Sequence, residues 1–210
     1  MFRLVMSFDD GARDDIKLVR LLKTYVFKAI FFIPNSMNGS DDYRLPVGGL
    51  QYLVNEGFEL GGHTKTHSKD MKRMDIGTQI EEISYNKGYL EGLTGKDIEW
   101  FCYPSGRYNE DTIKAVKLAG FKYARTVLVG NYKKPTDNFK IVTSVHIYPN
   151  REEYKGKHWL EYAFDILEKA SKEPDGYFHV WGHSWELQKF GLWEDVEKLF
   201  KKIKEYDYVQ

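Results

Sequence analysis

The chain has 210 residues in which 31 Lys and Arg balance 31 Asp and Glu, so it lacks the basic field that holds nucleic acid or an anionic membrane surface. Hydrophobic residues make up 42%, aromatics 16% and charged residues 30%, enough to bury a core and cover it, which excludes disordered and collagen-like classes. The single cysteine, Cys102, excludes an intrachain disulfide and fits a reducing cytosol.

Residues 2–8 predict a strand running straight into Asp9-Asp10, without the basic, apolar and small-residue regions of a leader, and no run approaches the roughly 18 apolar residues of a membrane span. A cytoplasmic chain is expected as given, or an exported one if a leader has been removed. Next come a helical stripe at Ile16, Val19 and Leu22, then strands at 29–33 and 58–60. A second stripe, Ile76, Ile80, Ile83 and Leu90, leads to a strand at 98–103. A third, Ile113, Val116 and Ala119, precedes a strand at 122–124. The polar stretch 131–138, with Pro135, predicts a surface loop before a strand at 140–147. Leu160, Ala163, Phe164 and Leu167 form another stripe, a strand follows at 176–181, and Trp193, Val196, Leu199, Phe200 and Ile203 close the series. Gly57, Gly95 and Gly120 fall where left-handed helix caps are wanted. Seven strands alternating with helices predict one domain over 1–210, an α/β fold of distorted (β/α)7-8 barrel type, with an open doubly wound sheet as the alternative. In either fold, chemistry collects at the carboxyl ends of the strands.

At the end of the first strand stands Ser7-Phe8-Asp9-Asp10-Gly11. Asp-Gly pairs also serve as plain turns, but two like charges side by side at a barrel mouth repel unless a cation sits beside them. His63-Thr64-Lys65-Thr66-His67 follows the third strand; on a helical turn this spacing puts both rings on one face, able to grip one ion, whereas the plainer reading is two solvated histidines. His179 and His183 share the spacing on a strand, where a rise of about 3.3 Å per residue separates them by about 13 Å and prevents chelation. His183, at the strand's carboxyl end, reaches the mouth of Asp9 and Asp10, while His179 reads as a hydrogen-bonded core residue. In Tyr103-Pro104-Ser105-Gly106, Pro104 fixes the backbone and Gly106 permits close approach, so a backbone N–H near Ser105 can serve an oxyanion. The alternative is a strand-to-helix turn with Asn109 as N-cap. Tyr103, Trp181 and Trp185 line a sugar groove or belong to the core.

Taken in order, Ser-Phe-Asp-Asp-Gly, His-Thr-x-x-His, Tyr-Pro-x-Gly and a late histidine resemble the polysaccharide deacetylase family, the NodB-homology or carbohydrate esterase 4 group. The resemblance implies a distorted (β/α) barrel that removes acetyl groups from N-acetylated sugars with a divalent metal. It assigns Asp10, His63 and His67 as metal ligands, Asp9 as general base, a Ser105 N–H to the oxyanion and His183 as general acid; Tyr103, Pro104, Trp181 and Trp185 are expected to bind substrate. Mixed nitrogen and oxygen ligands suit Zn²⁺, with Co²⁺, Ni²⁺ or Mn²⁺ also accommodated. This chain departs from the family pattern where Cys102 stands for an arginine and Ser105 for an aromatic residue. It also lacks the aspartate pair expected near 123–126, and Trp181-Gly182-His183 replaces a leucine-x-histidine pattern. Arg125 is accordingly expected to supply the positive charge that keeps Asp9 ionised. The competing functions are a same-fold amidohydrolase on a non-sugar amide and a catalytically inactive carbohydrate-binding barrel.

Overall fold

The computed structural model describes residues 1–37 and 43–210. In chain order its strands are β1 (Phe2–Asp9), β2 (Ile30–Ile33), β3 (Glu59–Gly62), β4 (Trp100–Cys102), β5 (Tyr123–Arg125), β6 (Val145–His146), β7 (Gly176–Gly182) and β8 (Tyr208–Val209). They pair in parallel in the spatial order β5-β4-β3-β2-β1-β7-β6, and the sheet curls into a half-barrel. The short β8 adds to the start of β1, beside Phe2 and Arg3. Parallel strands are covered on both faces, and β1 shows why. Phe2, Leu4, Met6 and Phe8 face the helix layer, whereas Val5 packs inside the curl with Ile30, Phe32, Cys102, Ile141 and Tyr177. Asp9 has the parity of Val5, so its carboxylate is delivered to the inside of the curl at the strand's carboxyl end.

Each predicted stripe is a helix: α1 (Asp15–Thr24), α3 (Ile76–Thr94), α4 (Glu110–Leu118), α5 (Trp159–Lys172) and α7 (Trp193–Ile203). Asp75 caps α3 by accepting from the Thr78 N–H at 3.0 Å, and Asn109 and Thr112 form a capping box on α4. Gly57, Gly95 and Gly120 all take the expected positive φ. Two helices went unpredicted, α2 (Val47–Asn55) and α6 (Ser184–Phe190). The first carries two glycines near its start and buries only Leu50 and Leu53; the second, at 7 residues, is too short to show a period.

The predicted strand at 140–147 survives only as β6, because Val145 and His146 alone register with β7. Upstream, the chain turns toward the opposite edge, where Ile141 N–H donates to the Ala124 carbonyl at 3.0 Å and Thr126 N–H to the Ile141 carbonyl at 2.9 Å. This segment links the two edges of the curl. The stretch 131–138 is the expected loop, pinned by a bridge between Lys133 and Gly176. No helix among the described residues is long and apolar enough to cross a membrane.

Candidate active site

Where β1 ends, Asp10 adopts φ +78° and Gly11 φ +65°, and the Asp10 N–H still donates to the Phe32 carbonyl at 3.0 Å. A left-handed aspartate is uncommon. Here it swings the second carboxylate out of the strand and toward the loop that follows β3.

That loop is no helical turn, which corrects the expectation from spacing: Thr64 has φ +68° and His67 φ +51°. Its fold is imposed from outside. The Glu82 side chain on α3 accepts from the Thr66 N–H at 2.9 Å and the Thr66 hydroxyl at 3.0 Å, and the Glu82 carbonyl accepts from Lys65 N–H at 3.0 Å. Asn86, one turn further along α3 and fully buried, accepts from His63 N–H at 2.7 Å and donates to the Ile33 carbonyl and Asn35 Oδ1, both at 2.9 Å. Gly62 lets α3 and Phe121, which precedes β5, come this close, since a Cβ there would stand 3.1 Å from Asn86 Oδ1 and 2.5 Å from Phe121 Cζ. The outcome is two imidazoles with ring centroids 4.7 Å apart.

The tautomer of His63 follows from its partner. Its Nδ1 lies 2.8 Å from the Cys102 carbonyl, which only accepts, so Nδ1 carries the hydrogen and Nε2 keeps its lone pair. Burial pushes the pKa of His63 down, and burial together with His63 pushes that of His67 to about 4, so both rings are neutral donors. Asp10 Oδ2 accepts from Trp185 Nε1 at 3.1 Å, whereas Oδ1 is buried with no hydrogen-bond partner among the described residues. Oδ1 lies 3.7 Å from His63 Nε2 and 3.5 Å from His67 Nε2, too long for hydrogen bonds. Ligands about 2.1 Å from a tetrahedral cation stand about 3.4 Å from one another, so the orphaned oxygen and the two lone pairs fit a divalent ion.

Asp9 stays outside this triad. Arg125, fully buried at the end of β5, donates from Nη2 to Asp9 Oδ1, and its guanidinium lies 4.6 Å from the Trp181 ring centroid and 5.0 Å from that of Phe32. Burial alone would raise the pKa of Asp9, but Arg125 and the neighbouring histidines overcome it and hold the carboxylate well below its ordinary range. Asp9 Oδ2 faces the Cys102 thiol at 3.6 Å and His183 Nε2 at 3.9 Å. Cys102, Asp9 and His63 also converge, yet burial drives the thiol pKa far up and Asp9 is taken by Arg125, so a thiolate site is disfavoured.

His183 arrives from the end of β7 with Nε2 3.8 Å from Asp10 Oδ2, and its Nδ1 is 2.6 Å from Glu186 Oε2. Burial opposes its charge, but Glu186, Asp10 and Asp9 outweigh that and raise its pKa to about 9, while the two histidines bring Glu186 down to about 2 against its own burial. Glu186 Oε2 is also 3.0 Å from His146 Nε2, and Arg151 Nη1 lies 3.2 Å from His146 Nδ1. Sequence reasoning missed Glu186, His146 and Arg151. A glutamate three residues after His183 at the start of a helix was the one readable signal; the other two come from a segment whose path no local pattern specifies.

The remaining predicted residues divide. His179 is fully buried between Ser7 Oγ at 2.8 Å and Tyr177 Oη at 2.9 Å, a core histidine as read. Trp181 is 3% exposed, its ring 3.7 Å from that of His146 and its centroid 4.6 Å from the Arg125 guanidinium, so it buttresses the site instead of lining a groove. Tyr103 is likewise buried, with its hydroxyl on the Phe139 carbonyl at 2.9 Å and its ring stacked on Tyr108. Pro104 is buried too, and Ser105 is exposed on a 3-10 turn with φ +53° that leads to the Asn109 cap; no polar contact among the described residues joins Ser105 to the cluster. Trp185, half-buried on Asp10, is the predicted aromatic that borders the site.

The fold and this cluster define a (β/α)-barrel protein whose carboxylates and imidazoles gather at the carboxyl-terminal mouth of a parallel sheet. Residues 2–124 match the family model described as polysaccharide deacetylase, and the chain belongs to that family. It is 26% identical over 128 residues to the Bacillus subtilis (strain 168) protein named "Putative polysaccharide deacetylase YxkH", which covers 60% of this chain and 45% of the relative, so the match spans less than half the relative's length. Among solved structures, the family 4 carbohydrate esterase from Streptomyces lividans in complex with acetate superposes with a TM-score of 0.60 at 16% identity, over 95% of this chain and 88% of that one. A family 4 pseudoenzyme from Bacillus anthracis, BA3943, gives 0.63 at 16% identity over 98% of this chain and 62% of that one. Likenesses at such identity are of fold.

Proposed function

We propose that this chain hydrolyses N-acetyl groups on an amino-sugar polymer or oligosaccharide, with a divalent cation held by Asp10, His63 and His67. The observation that carries the reading is the buried Asp10 Oδ1, without a hydrogen-bond partner among the described residues, facing two imidazole lone pairs, with an ionised Asp9 and a protonated His183 on the same mouth. Mixed nitrogen and oxygen donors suit Zn²⁺. When bound, the cation supplies Lewis acidity that makes water acidic and polarises an acyl oxygen.

The chain's own residues do the proton work. Asp9, its Oδ1 tied to Arg125, takes the proton of the attacking water on Oδ2. His183 carries its Nδ1 hydrogen on Glu186, so its Nε2–H faces the site and protonates the departing amine, a poor leaving group unless neutralised. Arg125 takes the place of the family arginine that Cys102 displaces, reaching Asp9 from the neighbouring strand. The inactive-barrel reading, which the pseudoenzyme neighbour keeps in view, loses ground because a binding surface needs neither a cation triad nor a spare ionised carboxylate.

The test is acetate release from N-acetylglucosamine oligomers by metal-stripped protein before and after adding Zn²⁺ or Co²⁺, with Asp9→Asn in parallel. Metal-restored release that Asp9→Asn abolishes is the expected result. Stoichiometric metal uptake without release on any chain length would move the substrate to a different amide. Neither uptake nor release would make this an inactive barrel.

A further inference from the structure

A second constellation of ligand type lies beside the first: His146, His183 and Glu186 bring their nitrogen and oxygen atoms within 4.8 Å of one another. The distances alone fit an ion as well as hydrogen bonds. We infer that it is a hydrogen-bond chain, Arg151 to His146 to Glu186 to His183, in which Arg151 and His146 are positioning residues for the proposed general acid. This rests on the deacetylase reading for its catalytic consequence, but not for its structure.

The direction of the chain is set at its outer end. A guanidinium donates and never accepts, so His146 Nδ1, 3.2 Å from Arg151 Nη1, must offer its lone pair. The ring's hydrogen then sits on Nε2, which points at Glu186 Oε2 across 3.0 Å and has no lone pair left for a metal. Burial, with Arg151 and His183 as cations on either side, lowers the pKa of His146 to about 4 and keeps the ring neutral with a single hydrogen.

Each member is held independently. The His146 ring lies parallel to Trp181 at 5° and to Tyr148 at 9°, with centroids 3.7 and 5.2 Å away, so it cannot tip without losing stacking on both neighbours. Arg151 is fixed by Glu153 through Nε at 3.2 Å and Nη2 at 2.8 Å, and by the Val127 carbonyl at 3.2 Å. Glu186 Oε2 therefore receives one hydrogen from His146 and one from His183, at 3.0 and 2.6 Å. Two donors, His146 on β6 and His183 in the cap between β7 and α6, leave that oxygen one place to stand. The carboxylate in turn leaves His183 one orientation, Nε2 toward Asp9 and Asp10. A helical glutamate with a single partner would retain rotamer freedom.

Two measurements test it on the full chain. Imidazole nitrogen shifts by NMR are expected to show His146 as the neutral Nε2–H tautomer, unchanged when Zn²⁺ is raised from one to two equivalents. A metal-induced shift at His146 with the second equivalent, or an Nδ1–H tautomer, overturns the chain. The second arm compares N-acetylglucosamine oligomers, whose amine needs a proton to leave, with 4-nitrophenyl acetate, whose phenolate does not. His146→Phe, which keeps the stacking, and Arg151→Met are expected to lower kcat on the amide about 10- to 100-fold, the cost of a displaced catalytic group. The ester is expected to lose at least tenfold less, and Arg151→Lys to recover most of the amide rate. Equal losses on both substrates, or none on the amide, overturn the positioning role. If the wild type cleaves neither substrate, the deacetylase reading falls, and with it the catalytic role of the chain, while the NMR arm still decides whether the cluster is a hydrogen-bond chain.

Discussion

Arg125→Met is the most informative single substitution. The guanidinium is fully buried, donates to Asp9, and lies within 5.0 Å of the ring centroids of both Trp181 and Phe32. Methionine refills most of that slot, so the loss is electrostatic: an ionised carboxylate stranded in the interior. Breaking a buried pair from one side costs about 3–5 kcal/mol, which for a chain of this size lowers Tm by about 6–20 °C. The same change alters the base. With Arg125 present, Asp9 titrates below its usual value of 3.8; its ionisation therefore favours folding above that value, and the contribution is lost as pH falls through the depressed pKa. Without Arg125, burial dominates and the shift reverses, so the acid limb of the pH-rate profile moves toward neutrality and stability near pH 7 drops. Adding Asp9→Asn removes the stranded charge and is expected to restore much of the Tm without restoring activity, a coupling of the kind double-mutant cycles detect. Scanning calorimetry of the four proteins and kcat/KM from pH 4 to 9 make the test. A Tm within about 2 °C of wild type with an unmoved acid limb, or additive losses in the double variant, would refute the reasoning.

Further expectations concern the cation, its support and the acid. Asp10→Ala leaves two imidazoles without their carboxylate and is expected to abolish retention of one equivalent of Zn²⁺ on gel filtration, measured by metal analysis; full retention would remove Asp10 from the site. Asn86→Leu releases the His63 N–H and is expected to weaken metal affinity about 10- to 100-fold, as loss of outer support does elsewhere, read by chelator competition. Gly62→Ala sets a Cβ 2.5 Å from Phe121 Cζ and 3.1 Å from Asn86 Oδ1, and overpacking of this kind costs about 1–3 kcal/mol, checked by urea denaturation. In the metal-free protein His183 has a pKa raised from 6.5 to about 9, so its contribution is complete below 6.5 and fades as pH rises through 9. Glu186→Gln is expected to flatten the urea midpoint between pH 6.5 and 9 relative to wild type; parallel curves would count against the pair.

How much was readable beforehand differs by element. α4 and α5 announced themselves by their apolar period, whereas α3, whose buried face carries Gln79, Glu82, Asn86 and Lys87, was legible only through Ile83, Leu90 and the Gly95 cap. The strand expected at 140–147 shortens to the two-residue β6, because the segment before it bonds to β5, which is distant in sequence and adjacent only once the sheet curls. Among site residues, Asp9 and Asp10 were legible from like charges at a strand end, and the His63/His67 pair from its spacing. The pair is not set by a helical turn, however: Glu82 and Asn86 on α3 shape the loop from outside. Trp181 and Tyr103 went the other way: an aromatic near a motif has no local mark that separates groove from core, and burial settled both as supports.

By itself, then, the sequence determined the alternation of strands and helices, the strand ends where charge collects, and the residue types able to hold a cation and move a proton. These are local properties, carried by periodicity, caps and motif spacing. Only the tertiary structure decided that Arg125 from β5 meets Asp9 from β1, that Asp10 Oδ1 is left without a donor, and that Glu186 answers to two histidines. Each of those depends on where the carboxyl ends of separate strands arrive when the sheet curls, a geometry that packing of the whole chain sets and no segment encodes.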